Sequence, residues 1–321
     1  MPAVEDDPLR ALAFAARDGD TRALEQLVAA VQDDVYRLAL RMLWHPEDAK
    51  DASQEALVRI VTRVASFRGD AAFRTWAYRV ASNHILNWRQ SRVERENLTF
   101  RQFADQLHDG LEAPSSDAPD AALLAEEVKL GCTLGMLLCL DRDHRLAYVL
   151  SDVFELPSEA GAYVCGITAS AFRKRASRAR GRLRAFVSQH CGLVNREAAC
   201  RCDRRVATAV RIGRVDLGAL PFAKRESLTD SVSEMERLHD LASLMRSHPD
   251  RGFDPGQPAP SPSPFRRAGL ERHRSSPSGP STASVSFVTG LLKPGHWTSS
   301  PELLSVRATP TGLSSTHGTR F

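Results

Sequence analysis

The residues best able to do chemistry in this chain lie together between Phe67 and Arg92. After a short loop, apolar side chains recur at helical spacing, and the positions between them hold arginine, asparagine and histidine. Arginine pairs with phosphates, amides bond base edges, and aromatic rings stack on bases. This combination favours contact with nucleic acid whose bases are unstacked. The alternative is an ordinary amphipathic helix with a solvated arginine face.

A second reactive group follows in the stretch QHCGLVNREAACRC at 189–202. Three thiols and one imidazole could complete a tetrahedral zinc site, and soft ligands also suit Cu⁺. The candidate metal ligands are His190, Cys191, Cys200 and Cys202. Their spacing is not that of a standard zinc finger, so a redox-labile pair and inert reduced thiols stay open as alternatives. No other motif in the chain requires a cofactor.

Helical periodicity predicts an all-α fold for the chain that carries these groups. Apolar stripes predict helices over about 21–43, over about 46–66 and from about residue 72 onward. Short connections between them imply antiparallel neighbours, which defines a first domain at 20–95. Residues 1–20 are expected to be a short cap or partly disordered.

An acidic ridge is predicted on the second of these helices. Asp48, Asp51 and Glu55 recur at i, i+3 and i+7, so they share one exposed face. The ridge is either a protein-docking surface or simply a solvated helix face.

The segment at 96–121 is predicted to be an acidic linker. Between Gln102 and Glu127 there are seven acidic residues and no lysine or arginine, and the stretch around Pro114 has the composition of a flexible spacer. A second helical domain is predicted at 122–187.

The second domain ends in a helix-turn-helix pattern. A short helix from Ser158 ends at Gly166, which suits a left-handed C′ position, and Thr168 can cap the next helix. That next helix has one apolar face and one cationic face, and no acid occurs between Ile167 and Arg196. We expect its first side chains to meet base edges in the major groove and its other cations to meet phosphates. The alternative is a basic helix that packs on acidic protein.

Three stretches resemble extracytoplasmic-function (ECF) sigma factors of the sigma-70 family. HPEDAKDASQEAL at 45–57 resembles their polymerase-binding helix, FRGDAAFRTWAYRVASNHILNW at 67–88 resembles their promoter-melting segment, and AFRKRASRARGRL at 171–183 resembles their C-terminal DNA-binding region. One departure is Gly161, where the family more often has a stronger helix former, and glycine weakens a helix by about 1 kcal/mol relative to alanine.

The resemblance implies sigma region 2 at 20–95 and sigma region 4 at 122–187. Its expected partners are core RNA polymerase, through the β′ and β subunits, and promoter DNA, with an anti-sigma factor as a further candidate. The expected polymerase-binding residues are Asp48, Asp51, Gln54 and Glu55. The expected DNA-binding residues are Phe67, Arg68, Asn83, Asn87, Arg89 and Arg92 for the −10 region and Thr168, Ser170, Arg173, Lys174, Arg175 and Arg178 for the −35 element.

The resemblance also extends past region 4. Residues 188–250 resemble the cysteine-containing extension that makes some factors of this group respond to metal. Residues 251–321 are rich in proline and serine, without periodicity, and are predicted to be disordered.

Composition and the absence of certain motifs limit the classes of function that the chain can have. The 321 residues carry a formal net charge of +4, with no run of eighteen apolar residues and no signal-peptide pattern, so a cytoplasmic protein without a membrane span is expected. There is no phosphate-binding loop, H-E-x-x-H or nucleophile elbow, so we expect no enzymatic activity. The expected function is that of a promoter-specificity factor for RNA polymerase. The alternatives are a helix-turn-helix regulator that acts without polymerase docking and a metal-responsive protein.

Overall fold

The computed structural model describes residues 7–88, 98–111, 120–218, 220 and 245. This part of the chain is α-helical and contains no strand, which confirms the predicted fold class; Cys191 and Cys200 form one isolated parallel bridge. The helices are α1 (Arg10–Arg17), α2 (Thr21–Leu43), α3 (Pro46–Arg63), α4 (Phe73–Leu86), α5 (Phe100–His108), α6 (Ala121–Leu137), α7 (Arg142–Tyr148), α8 (Ser158–Cys165), α9 (Ala169–His190) and α10 (Cys202–Arg211). No helix in these ranges is long and apolar enough to cross a membrane. The predicted tail lies outside the described residues.

The first domain is built from α1 to α4. The Asp20 side chain accepts hydrogen bonds from two backbone amides of the first turn and so begins α2, while Pro46 occupies the first turn of α3. The apolar stripes predicted for these helices lie in the core. Of the two expectations for residues 1–20, the short cap agrees with α1, which is a regular helix that packs on α2.

The linker is more ordered than its composition predicted. Thr99 and Gln102 form a capping box that begins α5. The rings of Phe100 and Phe103 then pack on Phe186, with centroids 5.3 and 5.6 Å apart. The prediction of a flexible spacer is therefore wrong for 100–108, because these aromatic rings give the segment a face to bury. Residues 112–119 lie outside the described part of the chain.

The second domain contains the predicted helix-turn-helix in α8 and α9. Gly166 ends α8 with a φ of +67°, and the Thr168 hydroxyl accepts a hydrogen bond from the Ala171 amide, 3.2 Å away. Before this pair, α7 continues into a π-helical turn at Val149–Val153. Asp152 in that turn accepts two hydrogen bonds from Arg180, which holds α9 against the rest of the domain.

The extension packs on α6 through α10. Two of its side chains, Arg205 and Thr208, donate hydrogen bonds to the carbonyls of Asp109 and Gly110, just after α5. The helix predicted near 229–247 lies outside the described residues, apart from Met245. The carbonyl of Met245 accepts a hydrogen bond from Arg41, 2.9 Å away.

Candidate nucleic-acid and protein interfaces

Helix α4 presents a narrow polar edge. It is packed against α2, α3 and α8, and nine of its fourteen residues are buried. Asn83 and Asn87, both predicted to contact bases, are exposed, and the Asn87 amide donates to the Asn83 carbonyl, 2.7 Å away. An amide at such an edge can donate to and accept from a base. The Trp76 ring lies in the core, with 7% of the residue exposed.

Phe67 does not occupy the surface position that a base-reading residue needs. Its side chain is 2% exposed, and its ring lies 5.5 to 5.7 Å from the rings of Phe14, Phe73 and Trp76. The prediction that this ring reads bases is corrected here to a core role, because α1 supplies Phe14 to cover it. Arg68 next to it is exposed, whereas Arg89 and Arg92 lie outside the described residues.

Gly69 fixes how α1 meets this loop. Its φ is +78°, a conformation that favours glycine, and a Cβ there would lie 2.9 Å from the Phe14 ring. Arg10 donates to the Gly69 carbonyl, and Asp7 accepts from the Phe73 amide, 2.6 Å away. The loop before α4 is therefore held by the start of the chain.

The acidic ridge of α3 lies at the surface. Asp51, Gln54 and Glu55 are exposed, and Asp48 is half-buried, 3.9 Å from His45. Glu55 forms an ion pair with Arg59 at 3.1 Å on the same helix. This is a surface on which a cationic partner could dock.

Glu55 also connects the ridge to α4. Its carboxylate lies 3.5 Å from His84 Nε2. Burial and the charge of Arg59 lower the His84 pKa, against the opposing charge of Glu55. The two predicted interfaces of the first domain are therefore neighbours.

Helix α9 carries a broad cationic surface. Thr168, Ser170, Arg173, Lys174 and Arg178 are exposed, as a DNA-reading face requires. Its predicted apolar positions are all buried, which leaves the opposite face open to solvent.

Two of the arginines predicted to contact DNA have acidic neighbours. Arg175 is half-buried and forms an ion pair with Asp143 at 3.2 Å, whereas Arg173 lies 3.9 Å from Glu159. Arg175 is therefore held on its own domain more firmly than the other predicted contacts.

The cysteines of the extension lie near a fourth cysteine, Cys132 on α6, which the predicted metal site did not include. Cys191, Cys200 and Cys202 lie close enough to Cys132 on α6 for their charges to interact. Burial, and the neighbouring thiols after it, raise the pKa of Cys132 and Cys202. The only indication of this contact in the sequence is that residue 132 is itself a cysteine.

His190 lies outside this group of thiols. Its Nδ1 is 3.0 Å from His108 Nε2, and its ring packs on Phe186. Nowhere in the described part of the chain are three or more His, Cys, Asp or Glu side chains arranged to hold a metal ion. His190 therefore does not lie with the other predicted donors, and metal binding itself stays a prediction.

Two further arginines escaped the sequence analysis. Arg145 is 2% exposed, and it donates to the carbonyls of Leu137 and Leu140 and to that of Met42 in the first domain. Arg142 donates to carbonyls at the end of α4. The available signal was that Arg145 lies four residues before Val149, on the apolar face of its helix.

These elements define a helical protein with a helix-turn-helix, a cationic second helix in it and an acidic surface helix, and the comparisons with known proteins specify its family. The family model for sigma-70 region 2 matches residues 27–94. The chain is 30% identical over 164 residues to the ECF RNA polymerase sigma-E factor of Escherichia coli K12, across 50% of this chain and 85% of that protein. It is 29% identical to the RNA polymerase sigma-H factor of Pseudomonas aeruginosa, across 50% of this chain and 84% of that protein.

Among solved structures, CnrH in complex with the cytosolic domain of CnrY is similar, with 23% identity and a TM-score of 0.40 over 56% of this chain and 96% of that one. The sequence matches show that the chain belongs to the ECF sigma factors of the sigma-70 family, and so is an RNA polymerase sigma factor.

Proposed function

We propose that this sigma factor is a non-catalytic specificity subunit that docks on core RNA polymerase through α3 and contacts promoter DNA through α4 and α9. In this assignment α4 serves the −10 region and α9 serves the −35 element. The sequence identity to sigma factors supports the overall function, and the surfaces described above support the division of roles.

The observation that carries the proposal is the separation of charge between α3 and α9. The exposed face of α3 carries Asp51 and Glu55, whereas α9 contains no acid along its whole length. A cationic helix is attracted to the phosphate backbone, and an acidic helix is repelled by it. Only α3 is therefore suited to bind a cationic protein surface while α9 holds DNA.

The docking role is tested by the substitution Asp51→Arg. Asp51 is exposed, so reversing its charge should leave the fold intact while it repels a cationic partner. We expect Asp51→Arg to weaken co-purification with core polymerase, and the double variant Asp51→Arg, Glu55→Arg to abolish it. The matched control is Glu25→Arg, an exposed acid on α2 away from the ridge.

The outcome separates this function from its main alternative. Unchanged polymerase binding by the double variant, with a normal circular-dichroism spectrum, would refute docking through α3. If the wild-type protein also binds promoter duplex tightly but never binds core polymerase, the helix-turn-helix regulator becomes the better description. An anti-sigma partner is proposed from the family alone, and co-purification from native cells would reveal it.

The proposed function also sets the location and the cofactor requirement. A bacterial sigma factor works where polymerase meets the chromosome, so we place this protein in the cytoplasm. Binding polymerase and DNA through charged and polar side chains requires no cofactor.

For the extension we retain a zinc or copper(I) site as a proposal, with Cys132, Cys191, Cys200 and Cys202 as the donors. Its support is that burial, and after it the nearby Cys191, Cys200 and Cys202, raise the pKa of Cys132, which places four thiols close together; a soft cation would stabilise their thiolate forms. The sulfur atoms would have to move closer together, since the described residues form no ready metal site.

The test is the metal content of protein purified without added metal. We expect Cys132→Ser to lose metal, whereas Cys139→Ser should keep it, because the charge that acts on Cys139 is that of Arg145 and not of the cluster. A metal-free wild-type protein would leave the cluster as reduced thiols.

A further inference from the structure

The loop between α9 and α10 places two cysteines side by side. Cys191 follows the last residue of α9, Cys200 lies just before α10, and the two form the isolated parallel bridge described above. The Gly192 amide donates to the Cys200 carbonyl, 3.1 Å away. Paired extended segments lie about 4.7–4.9 Å apart, and disulfides join residues whose Cα atoms are about 4.4–6.8 Å apart. The backbone therefore holds Cys191 and Cys200 at a separation that suits a disulfide.

Hydrogen bonds of the loop itself maintain this separation. The Asn195 amide donates to the Cys191 carbonyl, and the Asn195 side chain donates to the Ser188 carbonyl, both at 2.9 Å. Arg201 donates to the Cys200 carbonyl at 3.0 Å. All of these bonds are present while both cysteines are free thiols. The pair is thus aligned before any bond joins the two sulfur atoms.

Gly192 permits the two segments to approach. A Cβ on Gly192 would overlap the carbonyl oxygen of Cys200 and the guanidinium of Arg201. Glycine is the residue that allows such a close approach between backbones. The bridge between Cys191 and Cys200 therefore depends on the residue that stands between them and the turn.

The two thiols are also neighbours, and they differ in their access to solvent. Burial raises the pKa of Cys200, and the charge of Cys191 raises it further, so the sulfur atoms are close together. Cys191 is half-buried, whereas Cys200 is 8% exposed. The backbone amides of Leu193 and Val194 form hydrogen bonds with the Cys191 side chain. A soluble oxidant can therefore reach Cys191 more easily than Cys200.

We propose that Cys191 and Cys200 form a reversible disulfide when a peroxide oxidises the chain. The Cys191 sulfur attacks the peroxide, an S–O bond forms while the O–O bond breaks, and water leaves with the thiol proton. The Cys200 sulfur then displaces the oxygen of this sulfenic acid, an S–S bond forms, and a second water leaves. The two thiols thus give two electrons to one hydrogen peroxide molecule.

The disulfide would act as a redox switch on the extension. Thiols are kept reduced in the cytoplasm, where we place the protein, so disulfides that form there are usually transient and redox-sensing. Oxidation would remove Cys191 and Cys200 from the four donors proposed for a metal ion, so the oxidised chain could not hold the metal through them. Disulfide formation requires neither polymerase nor metal, so its test is independent of the proposed function.

The test is peptide mapping of the reduced full chain after treatment with hydrogen peroxide. Chelator is present, so that a bound metal does not protect the thiols. Trypsin cleaves after arginine and so separates the three cysteines of the extension into peptides 185–196, 197–201 and 202–204. We expect peptide 185–196 to be joined to 197–201, with the loss of two hydrogen atoms and full reversal by dithiothreitol. The absence of a link, or a link from either peptide to 202–204, would overturn the proposal.

Three variants test the pair and the order of the two steps. The matched control Cys202→Ser should form the same link as the wild type. Cys200→Ser should leave the sulfenic acid at Cys191 unresolved, so that a dimedone probe labels peptide 185–196. Cys191→Ser should form no link and leave Cys200 unlabelled, whereas labelling of Cys200 would overturn the assignment of Cys191 as the residue oxidised first. The oxidised wild type should run as a monomer in a non-reducing gel, and a disulfide-linked dimer would contradict a bond within one loop.

Discussion

Helix α4 buries nine of its fourteen residues, whereas α9 buries six of its twenty-two. Four helices, α2, α3, α7 and α8, contact α4, so its polar groups appear at one edge, with Asn83 and Asn87 exposed. By contrast, α9 rests on one face and exposes arginines along the rest of its length. Two helices assigned to the same promoter are therefore built in opposite ways.

The difference bears on what each helix can recognise. A narrow edge with amides can read a few bases that have left the stack, because contact then depends on close approach of few groups. A broad cationic face suits a duplex, whose phosphates lie on both sides of the groove. In α4 the reading groups depend on a packed core, while in α9 they can be changed without disturbing it.

The largest expected effect follows from truncating the core of α4. Phe73 is fully buried among aromatic rings, so Phe73→Ala should lower the free energy of unfolding by about 3–5 kcal/mol. On α9, the exposed Arg178→Ala should change it by less than about 0.5 kcal/mol while weakening DNA binding. Urea unfolding measures both. A similar loss of stability in the two variants would contradict the contrast between the helices.

The second prediction divides the surface of α9 itself. Arg173→Ala and Lys174→Ala, near the start of the helix, should alter sequence preference by about 1–3 kcal/mol. Arg182→Ala and Arg184→Ala should weaken binding to all sequences equally, and each should reduce the salt slope by about one. Duplex binding at several salt concentrations distinguishes the two patterns. If all four variants behave alike, base-reading and phosphate-binding positions are not separate.

Much of this contrast could be predicted from the sequence, because periodicity records which face of a helix is apolar. The five apolar positions predicted in α9 are buried, and α2 has the predicted bounds at Thr21–Leu43. The glycine and threonine that begin and end the turn also have the predicted roles. These features depend on neighbours within a few residues, so a local pattern encodes them.

The features that escaped prediction depend on distant segments. Phe67 is buried because α1 packs on it, and the sequence around Phe67 does not indicate that contact. Arg145 is charged and yet buried, because carbonyls of two domains converge on it. Cys132 meets its partners only after α10 packs on α6. Periodicity tells which side of a helix is buried, but it does not tell what covers that side.

A smaller effect is expected at Gly161, which the sequence presented as a weak point of α8. A Cβ there would lie 2.2 Å from the Phe172 ring of α9, so glycine permits the two helices to approach. Overpacking costs about 1–3 kcal/mol, and the gain in helix propensity offsets about 1 kcal/mol of it. Gly161→Ala should therefore destabilise the helix-turn-helix slightly in thermal unfolding. A stabilised variant would mean that α9 can shift without cost.

The smallest effect concerns the end of α9, where His190 faces the linker helix. Burial lowers the His190 pKa first, the charge of His108 lowers it further, and Asp105 opposes them. Arg101 and Arg182 line the same groove and add positive charge nearby. Because the folded state favours the neutral imidazole, the unfolded chain binds more protons on acidification. Stability should therefore be lost as the pH falls through about 6.5, and the loss should end below the folded-state pKa.

Two variants separate the contributions to this pH dependence. His108→Gln removes the cation that opposes protonation, so the melting temperature should fall less between pH 7.5 and 5.5 than in the wild type. Asp105→Asn removes the group that favours the charged ring, so the melting temperature of this variant should fall more than that of the wild type. An identical decline in all three proteins would show that this histidine pair does not control how α5 docks on α9. Since the histidine pair lies at the surface and solvent screens it, we expect this change in melting temperature to be the smallest of the four effects.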